Sequence, residues 1–96
     1  MESIRFEWDP RKAASNREKH GVSFEEARDS FFDPFGDRFW DTEHSNEEDR
    51  FLWLARSPLK RILLVVHCFR ASDSLLRIIS ARKATTKEKA FYRGKS

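Results

Sequence analysis

A single cysteine, three glycines, three prolines and no long apolar run set the first limits on this 96-residue chain. One thiol cannot close an intramolecular disulfide, and Cys68, placed inside the apolar stretch RILLVVHCF, reads as a buried thiol of a reducing compartment. The three histidines, His20, His44 and His67, are scattered and share no ligand spacing with Cys68, so neither a metal site nor a cofactor is expected. There is no Gly-rich phosphate loop, no nucleophile elbow and no partnered carboxylate pair, which removes nucleotide-binding and hydrolase sites of the familiar kinds. No apolar stretch approaches the ~20 residues of a membrane span. The opening MESIRFEWDP lacks a signal core, so a cytoplasmic location without membrane contact is expected. Repeats, linkers and low-complexity segments are missing as well, leaving one domain over residues 1–96.

What is present is aromatic and charged. Nine Phe, three Trp and one Tyr supply a core, and 36 % charged residues a well-solvated surface. The charge is uneven: residues 77–96 hold seven Lys or Arg against the single acid Glu88, although the whole chain carries only +3. Polyanions or acidic proteins are therefore the expected partners.

The pattern predicts the order β-α-α-β-β-β-β-α, an α+β fold with helices against one small antiparallel sheet. Residues 4–8 alternate as a short strand. Asp9-Pro10 opens a polar helix that stops at Gly21. Ser23, with Glu26 at the capping-box position, starts a second helix whose apolar stripe is Phe24, Ala27, Phe31 and Phe32, ended by Asp33-Pro34. An edge strand over 36–41, an acidic loop over 41–49 and alternating or apolar strands over 50–57, 61–69 and from Leu75 follow, with short connections that make the last three an antiparallel meander. Thr85 and Glu88 form a second capping box for the closing helix.

Chemistry, if any, rests on cations, His and Tyr, which points to phosphate esters. Arg77, Arg82 and Lys83 stand at the end of the last strand. Simple alternation puts Arg77 with Lys83 and Arg82 on the opposite face, so the two arginines converge only if the strand twists or bulges near Ser80. His67, at the end of the central strand, is either a proton carrier or a core histidine bonded to backbone. Lys19 and His20 at a helix C-terminus either complement the helix dipole or contact phosphate. Tyr92 either stacks on a base or packs on the sheet. Ser15 and Asn16 read as helix surface.

The segments IRFEWDPRKAASNREKHGVSFEEA, DTEHSNEEDRFLWL, RILLVVH and RIISARKATTKEK, in this order over nearly the whole chain, resemble the BrnT toxins of type II toxin-antitoxin systems. The resemblance implies a RelE-like fold and metal-independent endoribonuclease activity in which the 2′-hydroxyl attacks the adjacent phosphate. It also implies a ribbon-helix-helix antitoxin that neutralises the toxin in a 2:2 heterotetramer and carries the operator-DNA contact. Its blocks fall on Lys19, His20, Arg50, His67, Arg77, Arg82 and Lys83. Arg82 and Arg77 are then expected to neutralise the scissile phosphate, His67 to carry the proton, and Lys19, His20, Arg50 and Lys83 to position the RNA. The turn Ser57-Pro58-Leu59-Lys60 departs from the family, where a Gly is usual. The alternative is a non-catalytic basic binding module, or a structural subunit of an operon-repressor complex.

Overall fold

The computed structural model describes residues 4–44 and 48–93. Strand β1 (Arg5–Glu7) gives way at Asp9, whose carboxylate accepts the Arg11 amide at 2.8 Å, and Pro10 opens α1 (Pro10–His20). Gly21, at φ 69°, ends that helix in the left-handed region, where a side chain would be strained. Ser23 caps α2 (Phe24–Asp29) by accepting the Glu26 amide. The expected reciprocal bond is replaced: the Glu26 carboxylate takes the Arg61 guanidinium and the Ser57 hydroxyl instead. A 3-10 turn (Ser30–Phe32) leads to β2 (Asp37–Trp40), β3 (Phe51–Arg56), β4 (Ile62–Arg70), β5 (Leu75–Lys83) and the short α3 (Thr86–Lys89). The element order is the one that the sequence pattern predicts. Part of the acidic loop, residues 45–47, lies outside the described residues.

One sheet of order β1-β5-β4-β3-β2 organises the chain. It is mixed rather than purely antiparallel, since β1 runs parallel to β5 while the other neighbours are antiparallel. Short connections force antiparallel pairing among β2 to β5, but two helices separate β1 from the meander and leave it free to join the remaining edge.

The two faces of the sheet differ. The covered face carries Leu63, Val65, Leu76, Ile78 and Ala81, all buried under Val22, Phe24 and Ala27, with Phe31 and Trp53 stacked at 5.1 Å on its flank. Phe32, expected in the α2 stripe, is instead 75 % exposed, because the 3-10 turn rotates it away from the core. The other face holds a smaller cluster of Leu54, Leu64, Ala84 and Tyr92, on which, among the described residues, only α3 and residues 90–93 lie. We call this the open face.

Asn16 is not helix surface. It is buried and makes three bonds across 65 and 6 residues of sequence: its amide donates to the Ala81 carbonyl (2.8 Å) and the Val22 carbonyl (3.0 Å), and its Oδ1 accepts the Ala81 amide (3.0 Å). Strand β1 pairs with β5 only as far as Arg77, so beyond it Asn16 satisfies the outer edge that β1 leaves bare.

Candidate nucleic-acid interface

The pairing of β4 with β5 shifts register between Val66 and His67: Val66 faces Ser80 while His67 faces Ile78. Ile79 is therefore an extra residue in β5, a bulge, and alternation resumes out of phase beyond it. Opposed residues share a face, so Arg77 (opposite Cys68), Ser80 (opposite Val66) and Arg82 (opposite Leu64) all stand on the open face. The condition under which the two arginines share a face is met. Lys83 pairs with Leu63 at the last rung, where the strand ends.

Both arginines are held. Arg82 donates to both oxygens of Glu88 at 2.8 Å, and Glu88 also closes the Thr85 capping box, so one carboxylate fixes α3 and aims the guanidinium. The Arg82 contact, more than any other, holds the Glu88 carboxyl down to about 2. Arg77 pairs with Glu7 across the β1–β5 rung at 2.9 Å. Arg70 reaches Glu48 at 3.3 Å, and Arg50 meets the same carboxylate at 3.4 Å, which puts Arg50 and Arg77 at the end of the sheet away from α3.

At the α3 end lies a cleft of about 400 Å³ lined by Arg56, Lys60, Arg61, Ile62, Lys83, Lys89 and Tyr92. Arg61 is committed to Glu26 and to the Gly21 carbonyl. Arg56, Lys60, Lys83 and Lys89 form no ion pair with any described carboxylate. Arg56 lies over the Tyr92 ring at 5.4 Å. Tyr92 is buried and donates its hydroxyl to Asp33, which also accepts the Arg56 amide at 2.7 Å. Burial and that carboxylate push the Tyr92 phenol up to about 12, so it is a wall of the cleft and not a proton source. Lys60 closes the β3–β4 turn at φ 64°, in the left-handed region, the position for a Gly in such a turn. The sequence holds the cue for this residue in the departure from the family's Gly, but no local signal brings Arg56 or Lys89 to it.

His67 is elsewhere. It is fully buried on the covered face, edge-on to Phe31 at 5.0 Å and Phe69 at 5.6 Å. Its Nε2 accepts from Arg38 Nε at 3.1 Å, so the proton sits on Nδ1 and is donated to the Val65 carbonyl at 3.3 Å. Burial drives its pKa down to about 4. The ring is neutral, both nitrogens are occupied, and a sheet lies between it and the arginines; of the two readings open to it, the geometry is that of the core histidine. It orients Arg38, which packs over Trp53 at 5.5 Å and Phe69 at 5.1 Å. Lys19 and His20, at the end of α1, join the cleft's end of the molecule through Arg61, which bonds the following Gly21 carbonyl, but do not line the cleft. Among the described residues, no group of three or more His, Cys, Asp or Glu gathers as for a metal ion, and no helix is long and apolar enough to cross a membrane.

Residues 8–88 match the family described as the ribonuclease toxin, BrnT, of type II toxin-antitoxin systems. No curated protein matches the sequence. Among solved structures, the ribonuclease toxin BrnT of Brucella abortus is similar with a TM-score of 0.62 at 22 % identity, over 90 % of this chain and all of that one, a likeness of fold. With the family matched over most of its length, the chain belongs to the BrnT family of ribonuclease toxins, whose type II systems pair a toxin with an antitoxin.

Proposed function

We propose that this chain cleaves RNA at the α3 end of the open face without a bound metal, the ribose 2′-hydroxyl attacking the adjacent phosphorus. The P–O5′ bond breaks, the 5′ oxygen takes a proton and the 2′ oxygen loses one, leaving a 2′,3′-cyclic phosphate. The observation that carries this reading is the convergence of Arg56, Lys60, Lys83 and Lys89 on one cleft with no described carboxylate paired to them. Such a site offers charge to a phosphate, and its cations repel a divalent ion from the position one would need. Arg82, aimed by Glu88 beside the cleft, neutralises charge that develops on the phosphoryl oxygens, an effect worth roughly 3 kcal/mol per well-placed donor. Arg77 and Arg50 at the far end of the same face, and Lys19 and His20 beside Arg61, position flanking backbone. A ribbon-helix-helix antitoxin in a 2:2 assembly, carrying the operator contact, completes the proposed system.

Purified antitoxin-free protein incubated with RNA in EDTA tests this. Cleavage to 2′,3′-cyclic or 3′-phosphate ends is expected, with a hundredfold or greater loss in a Lys60→Ala/Lys89→Ala double variant that keeps its circular dichroism. RNA that stays whole with the wild-type protein overturns it in favour of a non-catalytic binding module.

A further inference from the structure

On the other side of α3 from the cleft, the open face carries a second depression of about 280 Å³. Phe39, Leu52, Leu54 and Leu64 line it with Phe91, and Glu88, neutralised by Arg82, is its one charged lining residue. Phe39 is 42 % exposed and Phe91 63 %, and unlike the singly exposed Phe32 they border one apolar depression, the kind of contiguous patch that marks an interaction site. The helix that supplies Glu88 to it also carries the exposed Lys87 and Lys89 on either side of that residue, Lys89 lining the cleft as well, while Arg93 beyond Phe91 is paired with Asp37. An apolar floor with a basic rim is the complement of an amphipathic helix that is apolar along one stripe and acidic along its flanks. An amphipathic helix uses the whole surface, whereas stacked RNA bases would use only Phe39 and Phe91 and leave the Leu52, Leu54 and Leu64 floor without a partner. A second copy of this chain, net +3, would set one basic rim against another.

We propose that this groove docks an acidic amphipathic helix of the antitoxin, with apolar anchors at i, i+3 or i+4 and i+7 seated between Phe39 and Phe91. The acidic flank of that helix passes over α3 toward Lys89 and the cleft. If the cleft is the RNA site, as proposed above, the docked helix and RNA then compete for the same cations.

The test titrates the toxin with the antitoxin encoded in the adjoining reading frame, using wild type, Phe39→Glu, Phe91→Glu and, as a control outside the groove, Phe32→Glu. All three positions are exposed, and thermal melts confirm folding. Both groove variants are expected to weaken binding at least tenfold, the control less than twofold, with RNA cleavage by the free toxin unchanged. Unchanged antitoxin affinity in the groove variants overturns the proposal. So does dispersal of a toxin homodimer with antitoxin affinity intact, which makes a second copy the occupant, and so does loss of RNA cleavage along with antitoxin affinity, which assigns the groove to RNA. A wild-type toxin that leaves RNA whole while the groove variants still lose the antitoxin refutes the cleft reading and leaves the docking site standing.

Discussion

His67 and Lys60 show how a single side chain can be legible in kind and illegible in role. Alternation places His67 on the face of Leu63, Val65 and Phe69, but the helices that cover that face come from sequence more than thirty residues away. A buried neutral imidazole binds fewer protons than its unfolded counterpart below pH 6.5, so stability falls as pH drops from 6.5 toward the folded value of about 4. Urea unfolding should therefore show a loss of about 2 kcal/mol between pH 7.5 and 5.0, and His67→Asn should flatten that limb without adding or removing a titration in the pH profile of RNA cleavage. A cleavage limb near pH 6.5 that vanishes in the variant would restore His67 as the proton carrier. Lys60 makes the opposite compromise. Its left-handed φ costs on the order of 1 kcal/mol, and Lys60→Gly should raise Tm by several degrees while weakening RNA binding severalfold. A Gly variant that is less stable than wild type would refute the strain.

At the scale of elements, β5 decides where the site can be. Caps at Asp9, Ser23 and Thr85, the Gly21 stop and the meander were readable because each rests on neighbours in sequence. The bulge at Ile79 was not, since no Gly marks it and its register is set by β4 across the sheet. Nor was Asn16, which looks like any polar helix residue until β1 proves too short to cover β5. Asn16→Ala strips partners from the buried Ala81 amide and carbonyl together, and should cost about 3 kcal/mol in denaturant unfolding. A loss under about 0.5 kcal/mol, typical of exposed helix positions, would show that water replaces those bonds. Because Ala81 adjoins Arg82, the same variant should impair cleavage more than it impairs RNA binding.

For the molecule as a whole, composition already located the positive charge in the C-terminal quarter, and that was the part of the site legible from the start. The fold adds Arg56 from the end of β3 and Lys60 from the turn after it, and leaves Arg77 and Arg50 at the other end of the open face. A cleft that neutralises about four phosphates should give log K against log salt a slope near −3 for single-stranded RNA, reduced by about 0.7 for each of Lys60→Ala and Lys89→Ala; slopes unchanged in both variants would place the RNA elsewhere. The sheet order carries a last consequence, for synthesis. Among the described residues the first strand has no paired strand except β5, and β5 is also the strand that bears Arg77, Arg82 and Lys83. Until β5 is made, β1 lacks the strand it pairs with and the core under the two helices lacks Leu76, Ile78 and Ala81. A chain that stops before β5 lacks both the partner of β1 and the cations Arg77, Arg82 and Lys83, so under the proposed function it should neither complete its fold nor cleave RNA.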